Sequence, residues 1–321
     1  MTRVLSIQSH VVSGYVGNRA ATFPMQYLGL DVDVINTVQL SNHTGYEKIK
    51  GKVFDADHIL ELYEGLELNG LDSYDFLLSG YMGNAKNIEA VREIAKKLAA
   101  KNDRFFFLLD PVLGDYGKLY VDESLIDLYR KQLIPLANLV TPNQFEAELV
   151  SGKPIKTLED AKNACLSFHD LGTPNVIITS TVLDGDETQL HLIGSQFDAT
   201  SKKHSIFSIT FPMLPGYYTG AGDLLCALVL SNIANSNESS EGPVLPFGSL
   251  KRICEVSLAS QFHIIHATME HQRLSGIPAP PGLDQSQMTS KLVKSFELTL
   301  VPNRKFLSDP TVVYTANDIS Y

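Results

Sequence analysis

The sequence predicts an α/β fold: a mainly parallel central sheet, helices on both faces, and antiparallel strands at an edge. Three observations predict it. Short runs with apolar residues on consecutive positions recur along the chain, as strands covered on both faces require. Helical periodicities lie between them, which demands crossover connections and parallel neighbours. Beyond residue 180 the pattern changes to polar–apolar alternation around polar turns, the pattern of antiparallel edge strands. The chain has 321 residues, of which 44% are hydrophobic. That suffices for one domain spanning 1–321 with no large separate lid.

In chain order, the strand-like runs are "RVLSIQ", "DVDVINTV", "YDFLLSG", "RFFFLLD", "ANLVT" and "NVIITS". Ile88, Val91, Ala95 and Leu98 fall at helical spacing, as do Ala161, Ala164, Cys165 and Phe168. The second of these helices opens on Thr157 with Asp160 three residues on, a capping-box pattern, and stops at Gly172 before Pro174. "TQLHLIGSQ" and "KHSIFSITF" supply the alternating strands. Helices are expected over about 221–234 and 249–274, mobile polar loops over 235–248 and 276–291, and a last strand at "FELTLV". No repeat of fixed period occurs.

The net charge is −10, which argues against nucleic-acid or anionic-membrane partners, because both depend on Lys and Arg. It leaves room for a phosphate ligand held by backbone N–H groups and a metal. Cys165, Cys226 and Cys254 are far apart and odd in number, which fits small buried residues in a reducing compartment. "MTRVLSIQS" turns strand-like at once, so no leader is expected, and no apolar run reaches membrane-spanning length. A cytoplasmic location follows, with the nucleus open as a second compartment. The sequons at Asn42 and Asn237 carry no meaning there.

In an open parallel sheet, ligands sit beyond the carboxyl ends of the strands. Residues to inspect are therefore Ser9 and His10, Ser41 to Thr44, Tyr81, Asp110 to Asp115, Thr141 to Glu146, and Thr179 to Thr181. GxxxxGK[ST] is absent, and "GYEKIKGKV" only approaches it; GxGxxG, HRD, DFG and HExxH are absent too. His263 and His266 read as satisfied helix histidines, since no acidic or Cys partner completes a ligand set nearby.

One phosphate-like string remains: "GAGD", residues 220–223, directly before an apolar run. A helix start offers N–H groups without intrahelical partners and a positive dipole end, and glycine lets an anion come close. Asp223 would then stand beside the anion as a base. The plainer reading is an N-terminal Asp stabilising a helix after flexible glycines. "DPVLGD" (110–115) and "TPNQFEAE" (141–148) place further carboxylates after strands, with Asn143 and Glu146 three apart and sharing a helix face. Acidic oxygens near a phosphate make sense with magnesium between them, although turn chemistry at "DP" and a helix cap at Asn143 also account for them.

Taken together, "SIQSHVVSGYVGNRAATFP", "SNHTGY", "SGY", "DPVLGD", "TPNQFEAELVSG", "VIITS" and "GAGD" resemble the pyridoxal kinases of the ribokinase-like superfamily. The resemblance covers most of the chain and weakens over about 185–212, 235–248 and 276–295. It implies ATP-dependent phosphorylation of the 5′-hydroxymethyl of pyridoxal, and of pyridoxine and pyridoxamine, by a homodimer. It implies Asp223 as proton acceptor and Gly220, Ala221 and Gly222 as anion hole. Ser9, Thr44 and Tyr81 would hold the vitamer beside Asp223, with Val16 and His43 lining its pocket. Asp110, Asn143, Glu146, Thr179 and Ser180 would face the nucleotide, as would Ala221, Gly222 and Tyr120. Asp115 and Glu146 would serve the divalent ion (magnesium or zinc). Asp110, Thr141, Thr179 and Gly220 would serve a monovalent one (potassium or sodium).

Two departures stand out. Animal members have Thr where this chain has Ala221, which keeps the backbone N–H and loses a hydroxyl. The loop 114–121, with Lys118 and Tyr120, is shorter than in animal relatives. Two other readings stay open: a hydroxymethylpyrimidine kinase on the same fold, and a binding protein that kept the pocket and lost the chemistry.

Overall fold

The computed structural model describes residues 1–236, 244–279 and 289–320. The strands are β1 (Arg3–Val11), β2 (Asp31–Leu40), β3 (Gly51–Val53), β4 (Phe76–Ser79), β5 (Phe106–Leu109), β6 (Gly114–Asp115), β7 (Lys118–Leu119), β8 (Leu139–Val140), β9 (Asn175–Thr181), β10 (Gln189–Asp198), β11 (Lys203–Pro212) and β12 (Asn317–Asp318). Ten of them form one sheet in the order β12-β11-β10-β9-β8-β5-β4-β1-β2-β3. The run from β9 to β2 is parallel throughout. β10, β11 and β12 on one side, and β3 on the other, are antiparallel.

The helices are α1 (Asn18–Tyr27), α2 (Ala56–Leu68), α3 (Ala85–Lys101), α4 (Ser124–Leu128), α5 (Gln144–Ser151), α6 (Leu158–Asp170), α7 (Ala221–Ser236), α8 (Leu250–Leu274), α9 (Ser290–Ser295) and α10 (Lys305–Ser308). A π-helical turn, Tyr129–Leu133, follows α4. Successive strand residues face opposite ways, and each face has its own core. Leu5, Ile7, Leu77, Phe107 and Leu109 pack with α2, α3, α5 and α6. Val4, Phe76, Leu78, Phe106 and Leu108 pack with α7, α8 and part of α1. Burial on both faces explains why these strands read as continuous apolar runs.

The capping box predicted for α6 forms: Thr157 Oγ1 accepts from Asp160 N–H and the Asp160 carboxylate accepts from Thr157 N–H. Gly172 follows the helix at φ +110. Asn143 and Glu146 do not share a helix face as expected, because Asn143 stands outside α5 as its cap, with the reciprocal bonds of a capping box. Most of the expected loops 235–248 and 276–291 lies outside the described residues; at their described ends, α7 runs on to Ser236 and α9 opens at Ser290.

"FELTLV" is not a strand. Phe296 ends α9, and Leu298 and Leu300 are buried against α7, α8 and α10 rather than in the sheet. The Thr299 N–H donates to Thr268 Oγ1 at 3.0 Å, a side chain where a strand would have found backbone. The alternation was real, but both sides of it are covered by helices and a loop. The strand that closes the sheet is instead β12, two exposed residues with no apolar signal.

Candidate active site

The parallel strands β2, β4, β5 and β8 end at Leu40, Ser79, Leu109 and Val140, directly before the residues singled out in the sequence. Ser9 and Thr179 lie slightly inside their strands, two residues before the ends of β1 and β9. All of these groups therefore share one edge of the sheet.

At that edge α7 begins with GAGD. Its first helical bond runs from Leu224 N–H to Gly220 O, 3.0 Å. The Ala221 N–H makes only a long contact, 3.4 Å, to Tyr218 O. Among the described residues, those of Gly222 and Asp223 take no acceptor outside the helix, so they are the donors available to an anion. Gly220 is at φ +86, and a Cβ there would stand 1.8 Å from the Tyr15 carbonyl oxygen. The glycine is thus required by close backbone approach as well as by φ.

Asp223 is partly covered at the mouth of the site. Burial pushes its carboxyl up to about 6, and the Gly17 N–H facing it pulls part of the way back. Gly17, at φ +50, rests on Ser9: a Cβ would lie 2.1 Å from Ser9 O. One segment therefore joins Ser9, expected on the vitamer side, to the predicted base.

Beside Asp223 lies a buried acidic group. Burial raises the Asp110 carboxyl well above the usual range, and the charges of Glu146 and Asp223 raise it further. Glu146 is raised mainly by burial, against N–H bonds from Asn143 (2.9 Å), Leu113 (3.0 Å) and Gly114 (3.4 Å). Asp115 is raised by burial too, and adds its charge to Glu146. Among the described residues, neither Asp110 nor Glu146 makes a salt bridge to a Lys or Arg. Buried like charges with no such partner fit a cation. Also among the described residues, no three His, Cys, Asp or Glu side chains are close enough to hold a metal. A divalent ion here would have to complete its shell with phosphate oxygens and water, as magnesium commonly does.

The Thr141 hydroxyl contacts Cys226 Sγ at 3.2 Å and Leu109 O at 3.4 Å. Cys226 lies beside Asp110, and burial pushes its thiol well up. The Asn143 side chain is largely committed, accepting from Glu146 N–H (2.9 Å) and donating to Gly114 O (2.8 Å). Thr179 joins this region through its N–H, which donates to Pro142 O at 2.9 Å.

The 114–121 segment is a hairpin of β6 and β7 rather than an irregular loop. It bears Tyr116, whose ring lies 6.0 Å from that of Tyr217, and Tyr120, which bonds Tyr217. Lys118 is exposed. Tyr217 sits shortly before GAGD, so the hairpin leans on the approach to the helix start.

At the end expected to hold the vitamer, Tyr81 is half-buried, its carbonyl accepting from Thr37 Oγ1 at 2.7 Å. Thr44 is exposed at the tip of its loop, and Val16 is half-buried. No hydrogen bond links the side chains of Thr44 or Ser180 to the other groups among the described residues. His43 is buried, with Nδ1 accepting from Gly45 N–H (3.1 Å) and Nε2 facing Glu297 Oε1 (3.2 Å). The Gly45 bond requires a bare Nδ1, so the proton is on Nε2 and points to Glu297. His43 can thus line a pocket with ring carbon but has no nitrogen to offer a ligand.

Glu297 was not singled out in the sequence, where it falls inside the run read as a last strand, "FELTLV". Gly17 was closer to view: the "GYVG" spacing hints at two close backbone approaches. His263 stacks on Phe306 at 4.9 Å and contacts Thr311 O at 3.0 Å, and the His266 ring lies 6.3 Å from that of Phe262.

A glycine-led helix start facing an aspartate, at the carboxyl edge of a parallel sheet with antiparallel flanks, is the architecture of ribokinase-like phosphotransferases. A family model described as phosphomethylpyrimidine kinase matches residues 76–242. The chain is 38% identical to the pyridoxal kinase of Homo sapiens over 98% of its own length and 97% of the relative. It is 47% identical to that of Arabidopsis thaliana over 71% of this chain and 73% of the relative. Among solved structures, a Leishmania donovani pyridoxal kinase with ADP and pyridoxamine superposes with a TM-score of 0.85 at 32% identity, covering 100% of both chains. The chain belongs to the pyridoxal kinase family. Among the described residues, no helix is long and apolar enough to cross a membrane.

Proposed function

We propose that this chain transfers the γ-phosphoryl group of ATP to the 5′-hydroxymethyl oxygen of pyridoxal, pyridoxine and pyridoxamine. The observation that carries the reading is the pairing at the start of α7: N–H groups of Gly222 and Asp223 without outside acceptors, beside the Asp223 carboxylate. The alcohol oxygen attacks the γ-phosphorus while the bond to the bridging oxygen breaks, and ADP leaves. A primary alcohol does not ionise near neutral pH, so Asp223 takes its proton as the new bond forms. Charge spreads over the phosphoryl oxygens in this step, and fixed N–H donors stabilise it without reorganising.

Ser9, Thr44 and Tyr81 hold the vitamer, and Val16 and His43 wall its pocket. Asp110, Asn143, Glu146, Thr179, Ser180 and Tyr120 face the nucleotide. Asp115 and Glu146 would hold the divalent ion, and Asp110, Thr141, Thr179 and Gly220 the monovalent one. Bound cations would offset phosphate charge next to the buried carboxylates. We also carry over a homodimer and one domain over 1–321, which light scattering and limited proteolysis would check.

The deciding experiment offers purified protein ATP, magnesium and potassium with each of the three vitamers and with hydroxymethylpyrimidine. Faster turnover of the pyrimidine would replace the substrate assignment. Tight pyridoxal binding with no ATP turnover under any metal would leave a binding protein.

A further inference from the structure

We infer that Glu297 is a positioning residue that locks the vitamer-side loops to each other and to the start of α7. The inference rests on the substrate reading above and assigns a function to a residue that reading does not use.

Glu297 is a buried carboxylate, 8% exposed. It accepts from Tyr46 Oη (2.8 Å) and from His43 Nε2 (3.2 Å) on Oε1, and from Tyr15 N–H (3.1 Å) on Oε2. All three partners are donors. An ionised carboxylate accepts at both oxygens and turns no proton of its own toward these donors, so it satisfies them best. Burial opposes that charge, but the bonds from His43 and Tyr46 outweigh it and hold the carboxyl below its usual range.

The three partners belong to two separate pieces of the site. His43 and Tyr46 flank Thr44, and their rings lie 4.9 Å apart. Tyr15 lies in the turn before α1. Its carbonyl is the atom that forbids a Cβ on Gly220, and two residues later Gly17 touches Ser9 and faces Asp223. Gly14 is also required, since a Cβ there would meet Glu297 Oε1 at 2.6 Å. Moving Glu297 therefore moves Thr44 on one side and the Ser9–Asp223 spacing on the other. The neighbours Phe296 and Leu298 are buried in two different side clusters away from the sheet, so their packing anchors the segment independently of the carboxylate's bonds.

The test compares wild type, Glu297→Gln and Tyr46→Phe. An amide turns an NH₂ against at least one donor, so Glu297→Gln should raise KM for pyridoxal about tenfold and leave KM for ATP within about twofold. Tyr46→Phe, which removes one bond of three and no charge, should show the same split at about a third of the size. Hydrogen exchange should show peptides covering 12–17 and 41–46 losing protection in Glu297→Gln, with β4 and β5 unchanged. An unchanged pyridoxal KM in both variants would overturn the inference. So would equal rises in both KM values, or loss of protection across the sheet, which mark a merely structural residue. Absence of pyridoxal turnover in the wild type would instead overturn the substrate assignment, and the exchange measurement would then decide the inference alone.

Discussion

The carbonyl oxygen of Tyr15 lies against Gly220 so closely that a Cβ on the glycine would stand 1.8 Å away. Backbone presses on backbone here, and no side-chain rotation can relieve a substitution. Gly220→Ala should cost about 2 kcal/mol or more of stability, because it adds positive-φ strain to the clash. Gly222, at the next turn of the same motif, has nothing within 4 Å of a built Cβ. Gly222→Ala should raise stability by roughly 0.5–1 kcal/mol through helix propensity. Paired thermal melts check both, and equal effects would refute the contact.

The proposed role of Asp223 as the base implies a pH limit. Burial pushes its carboxyl up to about 6, and only the ionised form accepts a proton. The value of kcat/KM for pyridoxal should fall about tenfold per pH unit below that point. Asp223→Asn should lower kcat by roughly 10²–10⁴ without abolishing ATP binding. Turnover of the Asn variant near that of wild type would remove the base assignment.

The same shift has a stability counterpart of opposite use. A carboxyl whose folded pKa exceeds its unfolded one holds its proton more tightly when folded. Its contribution is fully present below about 4 and is lost as pH rises through about 6. Asp110 and Glu146 shift in the same direction and extend the loss to higher pH. In metal-free protein at pH 8, Asp223→Asn should therefore be more stable than wild type by about 2 kcal/mol, a figure reduced for partial exposure. The gain should vanish below pH 4. Denaturant melts across that range give the answer, and a gain that persists at low pH would contradict the burial account.

The buried acidic group should respond to a divalent cation. Magnesium titrated into metal-free protein with ATP present should raise the melting temperature, and Glu146→Gln should shift the half-activating magnesium concentration upward by about tenfold. An unshifted magnesium dependence would move the divalent site away from Glu146.

How much of this was readable beforehand follows from where the signals are local. Strands buried on two faces betray themselves, because Leu77, Phe107 and Leu108 are apolar in sequence for the same reason that they are buried in space. The strand ends then pointed to Asp110, Thr141 and Tyr81. GAGD was legible because its glycines and aspartate are contiguous. Glu297 was not, since its meaning comes from Tyr15, His43 and Tyr46, which lie far from it in sequence and meet it only in space. The misplaced strand at "FELTLV" has the same origin: alternation records which side chains are buried, not what buries them.

The sheet's two margins have a bearing on colloidal behaviour. A wide sheet offers unpaired peptide groups along both sides, a template on which foreign or sister chains can grow. Here one margin is β12, two residues long, and the other is β3, three residues long. The stretch of β2 beyond β3 carries Asp31 and Asp33, both engaged with Arg3. On that side an incoming strand would meet these charges before it could pair along β2. On the β2 margin the protein can thus carry ten strands in one layer and still resist fibre-like growth at high concentration.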